Sequence, residues 1–115
     1  MEIWHNPRCS KSRQALALLE ASGEQPEIRR YLDDPPSAAE LDAVLTKLGL
    51  EPWDIARLGE ARAKELGLRD MEHDRAAWIE TLAANPILIE RPIVVAGDRA
   101  VLGRPPEDVR ALLGP

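Results

Sequence analysis

The segment Pro92-Ile93-Val94-Val95-Ala96, Gly97-Asp98, Arg99-Ala100-Val101-Leu102 constrains this chain more than any other. Two short runs rich in apolar and β-branched residues are separated by a two-residue Gly-Asp step. So tight a turn closes an antiparallel hairpin, with glycine supplying the positive φ it needs. Pro105-Pro106-Glu107 follows and opens a final helix, with Val109, Leu112 and Leu113 inward and Gly114 at its end. A lone hairpin is marginal in water, so this ββα tail needs a sheet to join.

The N-terminal part supplies that sheet. Ile3-Trp4 is a short apolar run closed by His5-Asn6-Pro7, and from about Ser10 to Ala21 the residues Ala15, Leu18, Leu19 and Ser22 recur at helical spacing before Gly23. Glu27 to Leu32 reads as a second strand, Ile28, Arg30 and Leu32 alternating with Arg29 and Tyr31, until Asp33-Asp34-Pro35-Pro36 stops it. A strand, helix and strand in this order form a right-handed βαβ unit with parallel strands.

Between the two halves lies a helical block. Ser37-Ala38-Ala39-Glu40 has the capping-box form, and Leu41, Val44, Leu45 and Leu48 follow at helical spacing until Gly49. From Pro52 to about Ala84 the pattern stays helical in shorter pieces, broken near Gly59 and Gly67, with Trp78, Ile79 and Leu82 on one face; Asn85-Pro86 closes the block. The expected architecture is therefore α/β: a thioredoxin-like mixed sheet, βαβ then ββα, with a helical insertion at about 37–84. At 115 residues the chain suits one domain, 1–115, and shows no repeat, low-complexity stretch or linker that would mark a second.

Composition narrows the function classes. With 44% hydrophobic and 30% charged residues the chain reads as a soluble globular protein, and no apolar run approaches the roughly 18 residues of a membrane span. The start Met1-Glu2-Ile3-Trp4 lacks the basic-then-apolar order of a secretory signal, so the expected location is the cytoplasm. A net charge of −5 speaks against non-specific nucleic-acid binding. One cysteine allows neither an internal disulfide nor a Cys-rich zinc site, and no histidines or carboxylates fall at ligand spacing, so no metal is expected.

That cysteine, Cys9, lies in His5-Asn6-Pro7-Arg8-Cys9-Ser10-Lys11-Ser12-Arg13. No acidic residue occurs between Glu2 and Glu20, although the chain holds 20 of them. A free intracellular cysteine is usually a small buried hydrophobe, but this one has no aliphatic neighbour in the segment, and thiolates form in electropositive, partly exposed places. At a strand-to-helix turn, free N–H groups and the positive end of the helix dipole favour the anion. Arg8, Lys11 and Arg13 add charge, and Ser12, one turn on, could donate its hydroxyl to the sulfur. Ser12 could equally be an N-terminal serine that satisfies backbone donors. It stands where a C-x-x-C motif has its second cysteine, so an adduct on Cys9 must be resolved by an external thiol. His5 could donate a proton or organise the loop, and the latter is preferred. His73, between Glu72 and Asp74, reads as a solvated surface residue.

The segment His5–Arg13 resembles the active-site signature of the glutaredoxin-dependent arsenate reductase family. Tyr31-Leu32 before Pro35-Pro36, Asn85-Pro86-Ile87-Leu88-Ile89-Glu90-Arg91-Pro92-Ile93-Val94-Val95 and Gly103-Arg104-Pro105-Pro106-Glu107 extend the resemblance over nearly the whole chain. It implies a nucleophilic Cys9, oxyanion-binding arginines at Arg57, Arg91 and Arg104, and a cis-proline at Pro92 opposite the nucleophile. Arg57 is placed mainly by its distance from Gly49. The resemblance further implies attack of Cys9 on arsenate, glutathione as co-substrate and glutaredoxin as partner, with no tightly bound cofactor. The Arg-Cys-Ser-Lys-Ser-Arg form and the end at Pro115 are similar to short chromosomal members, whose physiological substrate need not be arsenate. Two other readings compete: a general glutathione-linked thiol oxidoreductase, and a transcription regulator of the Spx type, which Ser12 in place of a second cysteine disfavours.

Overall fold

The computed structural model describes Met1–Gly114, and these residues form two compact units: a sheet unit, 1–34 with 91–114, and a helical unit, 35–90. The second is somewhat wider than the insertion expected at 37–84.

In the sheet unit β1 (Glu2–Trp4), β2 (Glu27–Arg29), β3 (Ile93–Ala96) and β4 (Arg99–Leu102) lie in the order β2-β1-β3-β4. β1 is parallel to β2 and antiparallel to β3, which is antiparallel to β4. This is the expected mixed sheet of a βαβ unit joined by a ββα unit. Gly97 takes φ +60 in the hairpin turn, and Ala96 pairs with Arg99 across it. Helix α1 (Ser10–Ala21) lays Ala15 and Leu19 against Ile3 of β1 and Val94 of β3, and Val109 and Leu112 complete this buried cluster. Each branched aliphatic side chain so buried contributes about 1.5–3 kcal/mol.

Two elements differ from expectation. β2 stops at Arg29 rather than Leu32 because the chain turns back, the N–H groups of Asp33 and Asp34 both donating to the Arg30 carbonyl. Ile28 on this edge strand and Leu32 in the turn are exposed, whereas Tyr31 is buried and the half-buried Arg29 lies 5.7 Å from the Trp4 ring centre. The last element, Pro106–Leu112, is a 3-10 helix rather than an α-helix. Its buried residues Pro106, Val109 and Leu112 recur every third position and so fall on one face of a three-residue turn. Leu113, expected inward, lies beyond its end and is half-buried.

In the helical unit α2 (Ala38–Leu48) starts with both bonds of the capping box, Glu40 N–H to Ser37 Oγ and Ser37 N–H to the Glu40 carboxylate, each 3.1 Å. It ends at Gly49 in the left-handed conformation. α3 (Ala61–Glu65), α4 (Arg75–Ala84) and three single 3-10 turns follow. Leu41, Val44 and Leu45 of α2 and Trp78, Ile79 and Leu82 of α4 are the buried faces. Arg75, at the start of α4, holds Asp42 and Glu51, both at 2.9 Å. His73 is exposed yet not merely solvated: its ring stacks on Trp53 at 4.1 Å and meets Trp78 edge-on. An Ala56–Ile89 bridge, with Arg57 N–H bonded to the Leu88 carbonyl, joins the later loops of this unit. No helix among the described residues is long and apolar enough to cross a membrane.

Candidate active site

The loop after β1 is held before the helix begins. His5 N–H donates to the Arg29 carbonyl at 2.8 Å, and Cys9 N–H donates to the Asn6 carbonyl at 3.0 Å. Asn6 also accepts Arg8 N–H at 3.0 Å through Oδ1, and Arg13 returns from the helix to donate to the Pro7 carbonyl at 2.8 Å. Cys9 is the extended residue just before α1, and its carbonyl accepts the N–H of Arg13. Its side chain makes no capping hydrogen bond of the usual oxygen type, and a thiolate there would draw on the helix's free N–H groups.

Opposing influences act on the sulfur. Cys9 is only 8% exposed, and burial, the largest single influence, pushes the thiol up. The Ser12 N–H, the Arg91 guanidinium through both hydrogen bonding and charge, and the Lys11 N–H oppose it. Together they outweigh burial, and the Cys9 pKa falls below its ordinary value.

Ser12 serves the sulfur through its backbone rather than through its hydroxyl. Its Oγ lies 2.6 Å from His5 Nδ1 and accepts the N–H of Asn6 at 3.1 Å, so the side chain ties the end of β1 to the first turn of α1. Ser12 is fully buried and His5 nearly so. Burial, then the charges of Arg30 and Arg13, lower the His5 pKa against a smaller opposing effect of Glu20, which keeps the ring neutral at pH 7. Its geometry is that of a loop organiser.

Arg91 is half-buried, with Nε and Nη1 removed from solvent, and belongs to the sheet unit like Cys9. The Arg91–Pro92 peptide is cis. Gly103 N–H donates to the Pro92 carbonyl at 2.9 Å, and a Cβ on Gly103 would stand 2.8 Å from Pro92 Cγ and 3.1 Å from Val109 Cγ1. Arg104 is exposed, and its Nη1 donates to the Arg91 carbonyl at 3.0 Å; its peptide with Pro105 is also cis, which the sequence reading did not foresee. Arg8 and Lys11 flank Cys9 with exposed side chains, and neither charge is among the main influences on the thiol. Arg57 belongs to the helical unit, where it pairs with Glu60 at 2.6 Å and Glu90 at 3.7 Å. Among the described residues no cluster of His, Cys, Asp and Glu could hold a metal ion.

Sequence reasoning missed Asn6 and Gly103. Asn-Pro after a short strand was a visible turn signal, and a glycine directly after a strand can mark close approach of another segment.

The class of protein defined by these features is a thioredoxin-like α/β protein with one thiol at a helix N-terminus, backbone N–H groups and an arginine acting on the sulfur, and a cis-proline following that arginine. Residues 4–112 match the ArsC family. The chain belongs to that family. It is 46% identical to an arsenate reductase of Neisseria meningitidis, over 98% of this chain and 97% of that one. It is 54% identical to a protein in the glnII region of Streptomyces viridochromogenes, over 98% of each. The solved structure of an arsenate reductase from Vibrio cholerae, 46% identical, aligns with a TM-score of 0.93 over 97% of this chain and 96% of that one.

Proposed function

We propose that this chain is an arsenate reductase in which Cys9 is the nucleophile. The observation that carries the reading is the sulfur's setting: a single thiol at the N-terminus of α1, lowered in pKa by the N–H groups of Ser12 and Lys11 and by Arg91. The names of the aligned relatives supply the substrate. Guanidinium groups pair with tetrahedral oxyanions through charge-assisted hydrogen bonds at any working pH, and Arg91 and Arg104 are the oxyanion ligands of this proposal.

The Cys9 thiolate attacks arsenic of the arsenate anion; an S–As bond forms and one oxygen leaves as water after protonation. Glutathione displaces a second oxygen, also as water, which leaves arsenic bonded to both sulfurs. A thiol of glutaredoxin then attacks the glutathione sulfur. That S–As bond breaks with its electron pair remaining on arsenic, so As(V) becomes As(III) while two external thiols become one disulfide. Water displaces Cys9 and releases arsenite. A chain with no second cysteine suits this division, because every thiol after the first comes from outside. The cytoplasm, with its glutathione pool, is the compartment the proposal requires.

The test is NADPH oxidation in a mixture of glutathione, glutaredoxin and glutathione reductase, started with arsenate and compared with Cys9→Ser. Arsenate-dependent oxidation above the Cys9→Ser background is expected. None above it would overturn the proposal, and Cys9-dependent turnover of a mixed disulfide without any on arsenate would replace it with a general thiol oxidoreductase.

A further inference from the structure

Arg8 and Lys11 contribute their backbones to the Cys9 loop and leave their charges unused. Arg8 donates its N–H to Asn6 Oδ1, and Lys11 directs its N–H at the sulfur. Both side chains are exposed, and neither makes an ion pair among the described residues. Arg57 and Arg75, by contrast, each hold two carboxylates, and Arg62 holds one. The chain has more acids than bases, 20 against 15, yet none lies between Glu2 and Glu20.

The placement also runs against helix electrostatics. The first turn of α1 contains no acidic residue, although the dipole favours acids there and disfavours cations. Lys11 and Arg13 occupy that turn instead. Cations kept exposed, unpaired and at the wrong end of a helix are suited to an anion that arrives from solvent. Arsenic bonded at the nearly buried sulfur falls to the half-buried Arg91, whereas exposed side chains suit a larger ligand that extends outward.

We infer that Arg8 and Lys11 bind the carboxylates of the external thiol and so select an anionic thiol of the glutathione type for reaction at Cys9. This rests on the reading that an external thiol completes the chemistry begun at Cys9, but not on arsenate being the substrate. Exposed charges of this kind act over about a Debye length, and their effect weakens with salt.

The experiment omits arsenic. Cys9 is converted to a mixed disulfide with a chromogenic nitrothiobenzoate, and a small thiol then attacks the Cys9 sulfur. The aryl thiolate departs with the electron pair and its absorbance gives the rate. Glutathione, whose carboxylates are intact, is compared with glutathione diethyl ester, in which they are neutral, at equal thiolate concentration; mercaptoethanol serves as an uncharged reference. At low salt the native chain is expected to prefer glutathione over its ester by about tenfold, a few-fold for each exposed cation. The preference should shrink at high salt and fall to about twofold or less in the Arg8→Gln, Lys11→Gln double variant, while Arg8→Lys retains it. An equal preference in the native chain and the double variant, or none in the native chain, would overturn the inference. A salt-sensitive preference that depends on both cations, in a chain inactive on arsenate, would sink the proposed substrate and leave the inference standing.

Discussion

Replacing Ser12 with alanine separates two ways in which this residue could support Cys9. Its hydroxyl lies 2.6 Å from His5 Nδ1 and accepts the Asn6 N–H at 3.1 Å, while its backbone N–H acts on the sulfur. Alanine keeps the backbone group and removes the hydroxyl. Stranding Nδ1 of the buried His5 costs about 1–3 kcal/mol, and the half-buried Asn6 N–H adds about 1 kcal/mol. The loss of stability should total about 2–4 kcal/mol, a fall in Tm on the order of 10 °C for a chain of this size. Urea unfolding followed by tryptophan fluorescence measures the first, with an unchanged slope as evidence that the unfolded state is unaffected. The pH dependence of Cys9 alkylation measures the second effect, which should be small. A variant within about 0.5 kcal/mol of the native chain, whose alkylation profile moves to higher pH, would refute this assignment and return the hydroxyl to the sulfur.

Arg91→Met removes one of the groups that lower the Cys9 pKa and keeps most of the side chain's bulk. The native thiol should alkylate with a midpoint below the free-cysteine value of about 8.5, and the variant's midpoint should lie higher; equal midpoints would remove Arg91 from the site. The linked sign is the same: a lowered folded pKa adds stability that is full above the unfolded pKa and is lost as pH falls through the folded one, so Arg91→Met should flatten that dependence. Gly103→Ala places a methyl group 2.8 Å from the Pro92 ring, an overpacking that should cost about 1–3 kcal/mol in thermal unfolding; an unchanged Tm would show that the two segments separate easily.

Features governed by local chemistry were legible before the structure. The Ser37–Glu40 capping box, the left-handed Gly49 and the Gly97-Asp98 hairpin each depend on residues a few positions apart, and each forms as the sequence implies. The place of Cys9 at a helix start belongs with them. Errors arose where distant contacts decide. The alternation through Leu32 looked like a longer strand, but Tyr31 is buried within a turn closed on the Arg30 carbonyl. The triplet Pro106, Val109, Leu112 fits either helix type at short length, and the structure takes the tighter one. The Ser12 hydroxyl could reach sulfur or imidazole from the same backbone, and the choice depends on His5, seven residues earlier. Likewise, Trp53 and His73 are too far apart in sequence for their stacking to be read.

The sheet unit is discontinuous, and this ties the chemistry of Cys9 to completion of the chain. During synthesis β1, α1 and β2 emerge first, but Arg91 and β3, the antiparallel neighbour of β1, follow only after the whole helical unit. Until β3 docks, the thiol has its local N–H groups and lacks the guanidinium that helps to hold it ionised. The Arg91 contribution to Cys9 therefore arises only when both ends of the sequence are assembled in one sheet unit.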